Sequence, residues 1–220
     1  MELLRARLRD IAAREMATDA AHDIAHLDRV WQSASEIAAT LPEVNQRVLL
    51  AACYLHDLIN LPKNNPNRAR ASTLAAEAAE PHLTALGYTT DEITQTQHAI
   101  AAHSFSAGIE PESGEARVLR DADRLDAIGA IGIARAFAVS GMMQTQLYDP
   151  DDPFATTRPL DDKRFALDHW QIKLLRLSAG MLTEGGKRLA RQRKDKMIAF
   201  LTNFAQEIGH PMPASLAQND

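Results

Sequence analysis

Residues 24–41 read Ile24-Ala25-His26-Leu27-Asp28-Arg29-Val30-Trp31-Gln32-Ser33-Ala34-Ser35-Glu36-Ile37-Ala38-Ala39-Thr40-Leu41. Leu27, Val30, Trp31, Ala34, Ile37, Ala38 and Leu41 recur at intervals of three and four, the signature of one face of an α-helix. Pro42 stops the pattern, because proline disfavours helical geometry in the residue before it. The spacing returns over residues 44–59 with Val48, Leu49, Ala52, Leu55 and Ile59 as its apolar stripe. Two helices of this kind in succession, with no alternating run nearby, point to an all-α protein.

Composition agrees. Ala occurs 38 times and Val five; alanine is the best helix former, and β-branched residues favour strands. Working outward, Asn60 to Arg68 is dense in turn formers and reads as a loop. Helical pattern resumes over 69–86, where Pro81 kinks or divides it, and ends at Gly87. Asp91 is the expected N-cap of a helix through His103. Further helices are expected at about 115–128, 129–140, 161–181 and 187–208, with a long loop over 144–159.

The 220 residues carry 24 Lys and Arg against 29 Asp and Glu, a net charge of −5. That length is read as a single domain over 1–220, with a core at about 20–140 and C-terminal helices at about 161–209. Cys53 is the one cysteine, so no intrachain disulfide forms and a reducing, cytoplasmic setting is expected. No apolar run approaches the ~18 residues of a membrane helix, and charge interrupts Met1 to Arg7, so neither membrane nor signal peptide is expected. The acidic balance argues against a specific nucleic-acid partner. Basic residues at Lys187, Arg188, Arg191, Arg193, Lys194 and Lys196 spread around a helix and read as a solvated face. A homodimer is compatible with everything in the sequence.

Chemistry concentrates in three places. His22, His26 and Arg29 share a helical face. Thirty residues after His26, His56-Asp57 follows the apolar run Leu49 to Leu55, and should therefore project inward. The third is Arg120-Asp121-Ala122-Asp123-Arg124-Leu125-Asp126, charged residues amid apolar ones. Any one of these alone reads as a satisfied core or surface group. Their order along predicted helices, His, then His-Asp, then Asp, is what suggests a site. No G-x-x-x-x-G-K-[ST] or G-x-G-x-x-G phosphate loop is present, and Cys53 lies in an apolar helix, which argues against a thiol nucleophile.

At this point the sequence resembles the HD superfamily of metal-dependent phosphohydrolases, and within it the YedJ-like bacterial subgroup. The resemblance is carried by Leu55-His56-Asp57, Leu61-Pro62-Lys63-Asn64, the run His98 to Ser106, the run Asp121-Ala122-Asp123-Arg124-Leu125-Asp126-Ala127-Ile128-Gly129-Ala130-Ile131-Gly132, and Leu147 to Phe154. It spans roughly Ala20 to Phe200. It implies an HD-type helical bundle with a central metal site, in which His26, His56, Asp57 and Asp123 hold one divalent ion. Two imidazoles and two carboxylates suit Mn, Fe, Co, Ni or Zn, with Mg also considered. His22 and Asp23 would orient His26 from behind, although an exposed helix start explains His22 equally well.

The implied reaction is hydrolysis of a phosphoester or phosphoanhydride in a small phosphorylated substrate of nucleotide type, by metal-activated water. Asp57 and His103 are its catalytic candidates. Lys63, Asn64, Arg68, His98 and Arg124 are its candidates for substrate and phosphate binding. His98 and His103 stand ~140° apart on an ideal helix; second-metal ligands, proton donors and phosphate binders are the roles open to them. His103 is read as a substrate contact or general acid. A core role stays open for His98, and His82 and His210 are read as structural or exposed. Leu58-Ile59-Asn60 lacks the acidic pair that ppGpp-hydrolysing HD enzymes carry there, which argues against that substrate. The rival readings are a binuclear HD-type oxygenase, recruiting His98 and His103, and a non-catalytic nucleotide-binding regulator.

Overall fold

A computed structural model describes residues 1–16, 23–61, 65 and 67–217. Among these residues the protein is helical, with one isolated bridge between Gln146 and Phe165 in place of any strand. The chain divides into two compact units, Met1–Asp123 and Arg124–Asp220.

The first unit is built on α1 (Glu2–Glu15), α2 (Ile24–Ala38), α3 (Gln46–Leu55), α4 (Ala71–Ala85) and α5 (Thr90–His103), with most of α6 (Gly114–Asp126). Short 3-10 turns stand at Arg68–Arg70 and Phe105–Ala107. Every residue of α3 from Val48 to Leu55 is buried, and α3 packs against α1, α2, α4 and α5. A helix apolar all round belongs in the centre of a core, so His56 is delivered by the central element of the unit.

Polar ties fix how that central helix sits. Asn45 caps it, its side-chain oxygen accepting from the Arg47 and Val48 N–H groups, and Glu115 of α6 accepts the Asn45 N–H at 2.7 Å. Arg47 donates to the Leu86 and Gly87 carbonyls and lies over the Tyr88 ring. Behind the far end of α3, Arg5 Nε donates to the Tyr54 hydroxyl at 2.8 Å, which donates to Asp28 Oδ1 at 2.7 Å. Arg9 donates to the other Asp28 oxygen at 3.1 Å, so α1, α2 and α3 share one network. Burial, reinforced by Asp28, pushes the Tyr54 phenol up to about 12, which keeps it protonated as a donor.

Several boundaries differ from expectation for identifiable reasons. α5 is capped by Thr89 rather than Asp91, because Glu92 completes a capping box: Thr89 Oγ1 accepts the Glu92 N–H and Glu92 Oε2 accepts the Thr89 N–H. α4 runs through Pro81 without dividing. α3 ends at Leu55, one residue short of His56, and the chain turns there. α1, formed by the charge-rich segment Glu2–Glu15, lies outside the helices expected from the sequence.

The second unit holds the end of α6, then α7 (Gly129–Met142), α8 (Ala166–Ile172), α9 (Glu184–Glu207) and α10 (Ala214–Ala217). Around the buried Trp170, the part-buried Phe137, Phe200 and Phe204 form an aromatic chain with ring centroids 5.5–5.9 Å apart, and Tyr148 stands edge-on to Phe204. The single helix expected over 161–181 is instead α8 followed by a 3-10 turn at Leu174–Gly180. The buried Asp168 carboxylate receives the Arg158 guanidinium in a fork (2.6 and 2.9 Å) and the Asp161 N–H, so residues 158–161 are folded as a turn and cannot start a helix. The α6–α7 turn needs glycine: Gly129 has φ +76°, and a Cβ on Gly132 would meet the Ala127 carbonyl oxygen at 2.3 Å. Arg193 and Arg135 accordingly bond the last carbonyls of α6, those of Leu125 and Asp126.

Candidate metal centre

The first unit brings together side chains from the start of α2, the end of α3 and the last third of α6. Asp23 is the N-cap of α2, its Oδ1 accepting the His26 N–H at 2.7 Å. Capping sets the direction in which the helix starts, and here it places His26 in the first turn with its ring buried. At the other helix end, His56 is the residue on which α3 stops, and its Nδ1 faces the Cys53 carbonyl oxygen at 2.9 Å. A carbonyl can only accept, so Nδ1 carries the hydrogen and Nε2 presents a lone pair.

The two Nε2 atoms and two carboxylates converge. His26 Nε2 lies 3.6 Å from Asp57 Oδ2 and 3.5 Å from Asp123 Oδ1. His56 Nε2 lies 3.5 and 3.9 Å from the same two oxygens. These separations exceed good hydrogen-bond length. They approach the ~3.0–3.4 Å between neighbouring donors around an ion with bonds of about 2.1 Å. His56 Nε2 is fully buried and makes no hydrogen bond with a described residue, although a buried lone pair of this kind is costly unless satisfied. Burial also lowers the His56 pKa, ahead of the opposing pull of Asp57, which keeps the ring neutral. Two imidazoles facing two carboxylates gather nitrogen and oxygen donors at one point, and a divalent cation is the counterion that fits this donor set.

His103, the last residue of α5, closes the arrangement. Its Nδ1 donates to the Ile100 carbonyl at 2.6 Å and its ring stands edge-on to His56, centroids 4.8 Å apart. Two overlapping groups result, His26 with His56 and Asp123, and His56 with Asp57 and His103. In each, one donor atom per residue lies within 4.8 Å of the others. Both could hold a metal ion.

Residues 23–128 match the HD domain family, a span that opens on the cap Asp23 and contains all five residues just described. The chain belongs to the HD domain family. It is 32% identical over 194 residues to the uncharacterized protein YpgQ of Bacillus subtilis, covering 85% of this chain and 84% of the relative. The crystal structure of Bacillus subtilis YpgQ in complex with ADP superposes with a TM-score of 0.72 at 28% identity, covering 94% of this chain and 95% of that one. An HD-superfamily hydrolase from Bacillus thuringiensis gives a TM-score of 0.72 at 29% identity, covering 94% and 97%.

Within this HD domain the remaining candidates are placed differently. Arg68 turns back on the segment that follows Asp57, donating to Asn60 Oδ1 at 2.6 Å and to the Leu61 carbonyl. His98 accepts the Glu112 N–H at its Nε2, and Arg124 donates to the Gly180 carbonyl at 2.8 Å within the second unit. All three guanidinium or imidazole groups therefore bond protein backbone or a loop amide. Their sequence spacing does not reveal those partners, which are 7 to 56 residues away. His82 ties α4 to the end of α1 through Glu15 at 2.8 Å, in keeping with a structural role. Cys53 is buried, and its thiol is pushed well up by desolvation, with Asp123 acting in the same direction. His22, Lys63 and Asn64 lie outside the described residues. The Arg5–Tyr54–Asp28 network behind the centre has no sequence signal, since its members are 23 to 49 residues apart.

Proposed function

We propose that this protein is a metal-dependent phosphohydrolase that cleaves a phosphoester or phosphoanhydride bond in a nucleotide-like small molecule. The observation that carries the reading is the convergence of His26, His56, Asp57 and Asp123 on one point, with the buried His56 Nε2 lone pair aimed at it. These four residues hold one divalent ion in this reading, and their mixed nitrogen and oxygen donors favour Mn, Fe, Co, Ni or Zn over Mg. The YpgQ complex with ADP supports a nucleotide as the ligand class.

When bound, the ion supplies a polarised phosphoryl oxygen and a water of lowered pKa. The protein's own groups do the rest. Cys53 and Ile100 carbonyls hold His56 and His103 in the tautomer that turns Nε2 toward the centre. His103, protonated at Nε2, gives that proton to the leaving oxygen and returns to the neutral ring still bonded to Ile100. Asp57, part-exposed beside His56, orients the attacking water, and Lys63 and Asn64 bind phosphate oxygens.

The test is to strip the protein with chelator, reload it with each of Mn, Fe, Co, Ni, Zn and Mg, and measure phosphate or pyrophosphate release from a nucleotide panel. One ion per chain with metal-dependent release is the expected result; no turnover of any nucleotide with any metal overturns the reading. The second group of donors, His56 with Asp57 and His103, favours the oxygenase as the alternative. Two irons per chain with O2 consumption would establish it.

A further inference from the structure

Arg120 of α6 carries a positive charge that no described residue answers. Its Nε is buried without a hydrogen-bond partner, and its guanidinium forms no ion pair with a described residue. The other two arginines of the same helix are engaged: Arg117 Nε donates to the Pro111 carbonyl at 3.2 Å, and Arg124 to the Gly180 carbonyl at 2.8 Å. A buried donor left unpaired costs free energy, and a guanidinium does not escape that cost by losing its proton. Arg120 as a whole is only half-buried, so its fork is within reach of a ligand.

The helix fixes where this charge stands. Arg120 precedes Asp123 by three positions within α6, and residues three apart on a helix are neighbours on one face. The opposite face of α6 is core, with Val118, Leu119, Ala122 and Leu125 buried. Of the four groups that converge at the metal centre Asp123 is the most open, its side chain 32% exposed against 16% for Asp57, 1% for His26 and 0% for His56. A ligand therefore enters past Asp123, and the adjoining turn of helix on that side carries Arg120. Asp123 Oδ1 faces the two histidine Nε2 atoms and makes no ion pair with Arg120, so the guanidinium stands beside the centre rather than in it.

We infer that Arg120 binds the second phosphoryl group of a substrate that carries at least two in a row, the first being held at the metal centre. The inference rests on the phosphohydrolase reading proposed above and deepens it, from phosphorylated small molecules in general to di- and triphosphates. Nε–H and one Nη–H of a guanidinium form a fork that matches two oxygens of one phosphoryl group. Such a ligand satisfies the orphaned donor and the charge together. A monophosphate gripped at the metal centre leaves the fork empty and gains nothing from it.

The experiment compares two ligands that resist hydrolysis and differ by one phosphoryl group: methylenediphosphonate and methylphosphonate. Their affinities for the Mn-loaded full-length protein are measured by calorimetry in the wild type, Arg120→Ala, Arg120→Gln and Arg120→Lys. The expected result is that diphosphonate affinity falls roughly 10- to 100-fold in Arg120→Ala and Arg120→Gln, while methylphosphonate affinity changes by less than about 3-fold. Arg120→Lys should recover part of the loss, since it restores the charge without the fork. Metal content should stay at the wild-type value, and without ligand Arg120→Gln should melt no lower than the wild type, because no bond within the protein is lost. Unchanged diphosphonate affinity in both Arg120→Ala and Arg120→Gln, or an equal loss of the two ligands, overturns the inference and leaves the phosphohydrolase reading standing. So does a ligand-free Arg120→Gln that melts several degrees lower, which would mark Arg120 as structural. A wild type that binds neither ligand overturns both.

Discussion

His56 Nε2 and Asp57 Oδ2 lie 3.5 Å apart and address the same point, although the two residues are neighbours in the chain. On a continuing α-helix successive side chains diverge by about 100°. Here the helix stops at Leu55, the chain turns at once, and the turn lets both donors face the centre.

The first prediction concerns that pair and its partners. Ala at His26, His56, Asp57 or Asp123 removes one of the four converging groups and should cut metal retention and turnover by at least about 100-fold. Elemental analysis of purified Asp57→Ala, alongside a phosphate-release assay, checks it. Full metal content with wild-type turnover in that variant would sink the ligand assignment.

Asp23 separates positioning from ligation. Its carboxylate caps α2 and takes the His26 N–H at 2.7 Å, so Asp23→Ala should cost about 1 kcal/mol of stability. It should also weaken metal binding by roughly 10-fold through a displaced His26. Asp23→Ser, which still caps, should restore both. Metal affinity that stays low in Asp23→Ser while stability recovers would show that the cap is not what places His26.

His103 is tested by the leaving group. A nitrophenolate departs readily without protonation and a nucleoside alkoxide does not. His103→Ala should therefore lose ~10²–10⁴-fold on a nucleoside monophosphate and far less on nitrophenyl phosphate, at unchanged metal content. Equal losses on both substrates would remove the proton-donor role, and loss of an ion would favour a second metal.

The network behind the centre predicts a stability effect without a change in metal stoichiometry. Tyr54→Phe removes the hydroxyl that receives Arg5 and donates to Asp28, a bond to a charged group worth about 1.5–3 kcal/mol. Thermal unfolding should shift downward by several degrees while metal stoichiometry stays at the wild-type value. An unchanged melting temperature would mean that Arg5 and Asp28 compensate fully by themselves.

In the second unit, Asp152 predicts an acid-sensitive loop. Its carboxylate accepts the Thr157 and Thr156 N–H groups and both threonine hydroxyls, and those backbone bonds hold its pKa well below the ordinary carboxylate range. A depressed folded-state pKa stabilises the loop fully above the unfolded value, and that contribution is lost as pH falls through the folded value. Amide exchange over residues 149–161 should thus stay slow through mildly acidic pH and accelerate only in strong acid. Asp152→Asn, which points an amide N–H at donors, should show fast exchange already at neutral pH.

Much of the helical content is legible in the sequence, because a helix is a local object: its hydrogen bonds reach four residues, and its apolar stripe repeats every 3.6. The stripe from Leu27 to Ile37, the stop near Pro42 and the inward turn of His56-Asp57 are all readable from neighbours alone. So is the divergence of His98 from His103, which the structure realises by giving one ring to Glu112 and the other to the centre. Local reading failed where a stronger local device competed, as with Thr89 and Glu92 against Asp91, and where a charge-rich helix such as α1 gains its stability from what it packs on. Only the tertiary structure decided which atoms meet. Asp123 reaches His26 across 97 positions of sequence, Arg5 reaches Tyr54 across 49, and Arg68 and His98 bond loop and backbone groups that no spacing marks in advance. Contacts at that separation are set by the packing of whole helices around the buried α3, and the free energy that selects the packing is spread over the core rather than written in any one segment.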